Sequence, residues 1–496
     1  MNLASLFDRH AVDETALISR GKQTTYGELS EQAAACRGGL ASLGLEPGDR
    51  VGIVCGNNWY FVISYIAVIG AGMVAVPLNP ASPALELEGQ LSTVEAAAVI
   101  IGPTARTVFD ELERSRTPSV TTWIGSGFVP DGGTDLDHLL AAEPMPIVDC
   151  DDDALAVLCF TSGTAGSPKA AMISHGNLRT NIAQMLSAPG NEQSSDDVVF
   201  AVLPLFHIFG LNVVLGASLV IGAKVLLVER FDPMSAIESI QKHGATVVSG
   251  PPTMWGAWAS LPEVPEGAFA SVRLAVSGAA RLPDETARSI ERRYGLHLCE
   301  GYGLTEASPV VTSSVETGAP IGSVGIPLPG LEVRLVDDSG DDVLIGDAGE
   351  LWVRGPNVFQ GYWEDEEATA RTVNPEGWLV TGDVATVDDN GYLFLVDRVK
   401  DLIIVSGFNV YPAEVEEVLM QHPAIDACAV VGVPHPYTGE AVKAYVVSVK
   451  GQAVEEDEII RFCASRLARY KCPEKVWFVD EVPQGMGGKV LRRALR

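Results

Sequence analysis

Positive charge is scarce in this 496-residue chain: 34 Lys and Arg stand against 64 Asp and Glu, a formal charge of −30. A nucleic-acid backbone calls for a basic footprint, so the acid excess argues against nucleic acid as a partner and against docking on anionic lipid. Cysteine is sparse as well. Eight are scattered at positions 36, 55, 150, 159, 299, 428, 463 and 472, with no CxxC pair and no metal-ligand spacing. That pattern argues against structural zinc and disulfides and fits a reducing compartment. The first fourteen residues carry charges early and lack the apolar core of a secretory signal, so the expected location is cytoplasmic. One stretch, Trp59–Leu78, has no charged residue over 20 positions, enough to cross a bilayer. Gly70 and Gly72 interrupt it and Pro77 closes it. It therefore reads as a buried helix after Asn57-Asn58, a glycine turn and a short strand over Met73–Val76, with no transmembrane segment.

What is present is the balance of a globular protein, 47% hydrophobic and 20% charged, in a chain too long for a single core. Short apolar runs at Val51–Val54, Ala98–Ile101, Ala154–Phe160, Val198–Leu203, Lys224–Val228, Thr246–Ser249 and Leu274–Ser277 read as buried strands. Tyr26–Leu43, Pro233–His243 and Asp284–Tyr294 read as helices between them. Such alternation predicts α/β architecture with largely parallel sheets. Pro118–Gly133 reads as a loop. Beyond Gly318 the texture changes to short strands and Gly/Pro/Asp turns (Glu332–Val336, Glu350–Arg354, Tyr392–Asp397), which predicts an antiparallel or barrel-like part. After Asp397–Asp401 comes a block reading helix (Ala413–Gln421), strand (Asp426–Val433), strand (Ala441–Val449), helix (Glu456–Leu467) and a basic tail. This block is expected to be a small separate α+β domain. From Arg461 to Arg496 nine bases stand against three acids, a place where an anionic small molecule could dock.

Five stretches carry chemistry. Phe160-Thr-Ser-Gly-Thr-Ala-Gly-Ser-Pro-Lys169 follows a strand directly. Its glycines allow close backbone approach to an anion, successive amides can form a nest, and four hydroxyls and a lysine add donors. The spacing is not that of a P-loop NTPase. In Glu300-Gly-Tyr-Gly-Leu-Thr-Glu306, glycines flank Tyr302 and would leave its ring open for base stacking, while Thr305 and Glu306 supply oxygens of the kind Mg²⁺ prefers. Trp378-Leu-Val-Thr-Gly-Asp383 ends in a carboxylate able to accept both hydroxyls of a ribose, although an Asp at a Gly turn often only caps the turn. Asp397-Arg-Val-Lys-Asp401 packs four charges at the inferred domain junction, and Ser406-Gly-Phe-Asn409 follows. Gly487-Gly-Lys489 places a lysine on a glycine turn within the basic tail.

In this order and spacing, over nearly the whole chain, the five stretches resemble the adenylate-forming superfamily of acyl-CoA synthetases, luciferases and peptide-synthetase adenylation domains. The resemblance implies a large N-terminal domain of two α/β subdomains plus a distorted β-barrel (1–397), a hinge (398–402) and a small mobile α+β C-terminal domain (403–496). It also implies the substrates ATP, coenzyme A and a carboxylic acid, with Mg²⁺, and allows a homodimer. The loop Thr161, Ser162, Gly163, Thr164, Ala165, Gly166 to Lys169 would hold the β- and γ-phosphates of ATP. Tyr302, followed by Gly303, would stack on adenine beside Gly278-Ala279-Ala280, and Thr305 and Glu306 would meet the α-phosphate and Mg²⁺, with Thr164 as a further metal contact. Asp383 and Arg398 would hold the ribose, Lys489 would bridge carboxylate and α-phosphate, Lys400 would be the hinge, and Gly407 would border the pantetheine tunnel. Lys443, Arg469 and Lys471 are candidates for the CoA phosphates.

Two departures from the family pattern stand out: Gln484-Gly-Met-Gly-Gly before Lys489, where a threonine-containing run is usual, and Arg281 after Ala280. Pro204-Leu-Phe-His-Ile-Phe-Gly210 matches the segment fronting the acyl pocket, with His207 as gate. It lacks the Asp that amino-acid-activating relatives place there, so a peptide-synthetase module with a carrier-protein domain is not expected. The aliphatic Gly210–Gly222 and Ser308-Pro-Val310 resemble fatty acyl-CoA synthetases, so a medium- to long-chain fatty acid is expected, ahead of an aryl or short branched acid. A degenerate, non-catalytic nucleotide sensor would be expected to have lost Glu306, Asp383 or Lys489; all three are present.

Overall fold

The computed structural model describes the chain except residues 162–167, 338, 399–400, 406–407, 437, 453, 468, 485–489 and 496, and the side chains of 397, 398, 408, 409, 439 and 493. Lys489, Lys400, Gly407, the Ser162–Gly166 loop and the Arg398 side chain therefore lie outside the described residues.

Among the described residues the strands form four sheets. A seven-stranded sheet runs, edge to edge, Thr134–Asp135, Thr122–Gly125, Ala98–Ile101, Arg50–Val54, Val74–Leu78, Leu155–Thr161 and Lys169–Ser174. It is parallel except for the last pair, an antiparallel hairpin in which Thr161 faces Lys169. A nine-stranded sheet has Leu298–Gly303, Leu274–Ser277, Val247–Gly250, Val198–Ala201, Lys224–Leu227 and Thr15–Ser19 as its parallel centre. Antiparallel strands close both of its edges. Strands with both faces covered need no polar alternation, which is why these segments read as continuous apolar runs. The expected helices Pro233–His243 and Asp284–Tyr294 are present over those residues.

The uncharged stretch forms a twelve-residue helix, Trp59–Gly70, whose core is buried on all sides. At 1.5 Å per residue it is about 18 Å long, short of the roughly 30 Å of a bilayer core. Among the described residues no helix is long and apolar enough to cross a membrane. Asn58 caps it by accepting from the Phe61 amide. The buried Asn57 amide donates to the Ala201 and Leu203 carbonyls at 3.1 and 2.7 Å and accepts from the Leu205 amide at 2.9 Å, so one side chain fastens the two large sheets together. Two expectations need correction. Pro77 does not close the strand but lies inside Val74–Leu78, near an end where the neighbouring strand pairs only at Ala75, so its missing amide costs little. The expected loop over 118–133 contains the strand Thr122–Gly125, second from the sheet edge and too short to show a period against its Pro- and Gly-rich flanks.

Past residue 318 the change of texture is matched by an antiparallel sheet of Glu332–Val336, Gly349–Arg354, Leu379–Val387 and Leu393–Arg398. The small C-terminal domain has its own five-stranded sheet and a separate core built from Ile403, Val405, Val410, Val415, Leu419, Val430 and their neighbours. Its helices Pro412–Met420 and Glu456–Ala464 cover that sheet.

Candidate functional site

Ligands of parallel α/β sheets bind beyond the carboxyl ends of the strands. The ends of Leu274–Ser277 and Leu298–Gly303 lie side by side there, with Ser277 in register with Glu300. The turn after the first strand is Gly278-Ala279-Ala280. Ala279 adopts a left-handed φ of 70°, and a Cβ on Gly278 would sit 2.8 Å from the Phe209 ring, so this turn is shaped by the Pro204–Gly210 segment packed against it. Across the sheet, Gly303 passes Pro309 so closely that a Cβ would lie 2.2 Å from its carbonyl oxygen.

Tyr302 differs from expectation. Its ring is buried, 8% exposed, and its hydroxyl donates to Asp383 Oδ2 at 2.6 Å. The glycines flanking it serve tight strand packing more than an open ring. Asp383 is itself 7% exposed. It follows Gly382, whose φ is 71°, and lies in register with Arg398 on the next antiparallel strand. The structure thus brings the adenine and ribose candidates together at the sheet end.

The phosphate and metal candidates converge through residues the sequence did not flag. The hairpin flanking the glycine-rich loop brings Thr161 and Lys169 opposite each other. Lys169 Nζ lies 3.0 Å from Asp365 Oδ2 and 5.2 Å from the centre of the Tyr362 ring. The Tyr362 hydroxyl donates to Glu306 Oε1 at 2.6 Å. Burial, and then the neighbouring Glu306 charge, push the Tyr362 hydroxyl's pKa up, so it remains a donor. The Asp365 carboxyl is held below its ordinary range by the Ala368 amide and then by Lys169. Residues 359–363 are zipped into place by backbone bonds: the Phe359 amide to the Glu306 carbonyl, Gln360 to Met172, Met172 to Gly361 and Trp363 to Ala170, at 2.8–2.9 Å. Thr305 and Glu306 lie on a single 3₁₀ turn, Thr305–Ala307. Among the described residues no group of three or more His, Cys, Asp or Glu side chains could cage a metal.

A recess of about 600 Å³ opens beside Lys169, lined by Thr93, Glu95, Trp363, Asp365 and Arg371 among others. The Pro204–Gly210 segment runs into a π-helix over Phe209–Gly216, a widened turn of a kind found beside functional sites. Asn212 within it donates to the Ser308 and Leu178 carbonyls, tying that helix to the Thr305–Pro309 turn. The His207 imidazole is exposed to solvent, yet protein surrounds it closely enough that desolvation lowers its pKa.

Glu300 begins the motif and was not expected to carry anything by itself. It is 7% exposed and accepts from the Gly322 amide at 3.3 Å. Burial raises its pKa to about 7. Arg281, the departure after Ala280, donates to Glu417 Oε2 at 3.0 Å and so joins the Gly278–Ala280 turn to helix Pro412–Met420 of the small domain. Of the three CoA-phosphate candidates, Lys471 is bound to both oxygens of Glu414 at 2.6 and 2.7 Å. Lys443 lies 3.7 Å over Trp477, and Arg469 is exposed on a short 3₁₀ turn.

Comparison with known proteins agrees with this geometry. The family model described as AMP-binding enzyme matches residues 6–363, and that of the AMP-binding enzyme C-terminal domain matches 414–489. A feruloyl-CoA synthase of an Amycolatopsis species is 38% identical over 485 residues, 97% of this chain and 95% of the relative. A long-chain-fatty-acid–CoA ligase of Yersinia pestis is 36% identical over 529 residues, covering 100% and 94%. The crystal structure of ATP-bound MatB from Rhodopseudomonas palustris superposes with a TM-score of 0.92 at 33% identity, covering 100% of this chain and 98% of that one. With both family models matched, relatives alike across their whole length and the same fold throughout, the chain belongs to the AMP-binding enzyme family and is an acyl-CoA synthetase of the adenylate-forming superfamily.

Proposed function

We propose that this acyl-CoA synthetase acts on a medium- to long-chain fatty acid in the cytoplasm, converting acid, ATP and CoA to acyl-CoA, AMP and pyrophosphate. The observation that carries the reading is the convergence of Lys169, Tyr362 and Glu306 beside the turn that continues from Tyr302 and its partner Asp383. In the first step a carboxylate oxygen attacks the α-phosphorus and the bond to the β-phosphate oxygen breaks, releasing pyrophosphate. Two anions must meet, so the site has to align them and neutralise charge. In this reading the Thr161–Lys169 loop receives the β- and γ-phosphates, Thr305 the α-phosphate, Asp383 and Arg398 the ribose, and the residual face of Tyr302 with Gly278–Ala280 the adenine. Lys489 bridges the two reacting anions as a point cation.

Glu306 offers one carboxylate, which fits Mg²⁺, an ion commonly held by one or two carboxylates together with substrate phosphates; bound there it would neutralise phosphate charge. In the second step the CoA thiol loses its proton and its sulfur attacks the acyl carbonyl, expelling AMP. That step needs Lys489 withdrawn, which a rotation about 398–402 accomplishes, opening the tunnel bordered by Gly407. Arg281 and Glu417 span the two domains and would have to part in that rotation.

For the acid, the support is the apolar segment Phe206–Val214, which carries no carboxylate and has His207 exposed within it. An aryl acid is the second reading, favoured by the 38% identity to a feruloyl-CoA synthase. Pyrophosphate release measured without CoA over a panel of fatty and cinnamic-type acids separates the two. Selective release with octanoate to palmitate supports the first, and selective release with the aryl acids replaces it. Nucleotide binding without release for any acid would leave only a sensor.

A further inference from the structure

We propose that Asp365 is a positioning residue that stands in for a nucleotide phosphate, holding the Lys169 ammonium at the working position until the terminal phosphates of ATP displace the carboxylate. The inference rests on the adenylating function proposed above and adds a residue to it. The Asp365 carboxylate has two jobs, one per oxygen. Oδ1 caps helix Glu366–Thr372 by accepting from the Ala368 amide at 2.9 Å, and Oδ2 meets Lys169 Nζ at 3.0 Å. The cap fixes the carboxylate, and the carboxylate fixes the lysine.

The strap that carries it, residues 359–365, is bonded along strand Lys169–Ser174 on one side and to the Glu306 backbone on the other. Through Tyr362 it also holds the Glu306 carboxylate. One rigid element thus registers the lysine of the phosphate loop and the carboxylate of the 3₁₀ turn. Lys169 and Asp365 are 27% and 37% exposed and border the recess beside the loop, so an incoming polyphosphate has a path to the pair. A free lysine would sample many rotamers; one parked on a capped carboxylate pays less ordering entropy when phosphate arrives, while the carboxylate opposes the arriving charge. The second effect dominates the equilibrium, because the pair must break for phosphate to take its place.

Replacing Asp365 by Asn or Ser keeps an N-cap oxygen and removes the charge. The full-length chain, without acid or CoA, is titrated calorimetrically with an α,β-methylene ATP analogue and with AMP. Both variants are expected to bind the analogue about two- to fivefold more tightly than the parent, the range of one exposed ion pair, and AMP equally well. Asp365→Glu, which restores the charge, is expected to return the analogue's affinity toward the parent value. Unchanged or weaker binding of the analogue, or an equal gain for AMP, overturns the proposal while leaving the adenylating function standing. Failure of the parent chain to bind either nucleotide overturns both.

Discussion

Replacing Glu300 by Gln tests the electrostatics of the site most directly. Burial raises the folded-state pKa of this carboxyl from an ordinary 4.5 to about 7, with nearby Asp284 adding to the rise and Arg281 and two backbone amides opposing it. The folded chain therefore keeps the proton up to about pH 7, whereas the unfolded chain releases it near 4.5. Stability from this group is full below 4.5 and is lost as pH rises through 7. At about 1.4 kcal/mol per pH unit, the loss amounts to about 3 kcal/mol. Gln stays neutral throughout, at a pH-independent cost of about 1 kcal/mol for a less well-placed acceptor. Melting midpoints of parent and Glu300→Gln would be compared from pH 4.5 to 8. The variant should start level with or slightly below the parent and gain steadily between pH 5 and 7. For a domain of roughly 400 residues the swing is about 3–4 °C. A difference that stays flat across this range would refute a buried, proton-holding Glu300.

Other outcomes follow from the same site. Lys489→Ala should slow acyl-adenylate formation by roughly 10²–10³, the cost of losing a preorganised charge at a reacting oxyanion, yet leave thioester formation from supplied acyl-AMP intact; equal loss of both half-reactions would remove Lys489 from its assigned role. Tyr362→Phe frees the Glu306 carboxylate and should raise the Mg²⁺ concentration for half-maximal pyrophosphate release by about tenfold or more, and should lessen the tightening that Mg²⁺ gives to ATP-analogue binding in calorimetry. Arg281→Ala removes an exposed ion pair between domains; it should move the melting midpoint by under about 1 °C while changing the ratio of the two half-reaction rates up to about fivefold, measured by single-turnover kinetics.

The apolar strands were legible because burial on both faces writes itself into sequence as unbroken hydrophobic runs, as at Ala98–Ile101 and Leu274–Ser277. Lys169, Glu306 and Asp383 stood out as candidates because glycines and charges concentrate around them. Tyr362 and Asp365 were not. Gln360-Gly-Tyr-Trp363 has the composition of any turn, and its importance arises only when backbone pairing with the Lys169–Ser174 strand carries it to Glu306. Tyr302 was recognised, but its enclosure was not, since the partner hydroxyl acceptor lies 81 positions away. Lys471 read as a free cation in a basic tail until folding set Glu414 against it. Each miss is a long-range contact that no local pattern announces.

The second strand pairing of the nine-stranded sheet joins Leu17 to Val225. During translation, at about 5–20 residues per second, the first strand emerges on the order of ten to forty seconds before its neighbour exists. Thr15–Ser19 can pair at once with Lys22–Thr25, but its other edge must remain open, or be sheltered, for that interval. The nascent chain is thus most exposed to misassociation before residue 227 clears the ribosome, and removal of the first twenty-five residues would leave Lys224–Leu227 as an open apolar edge.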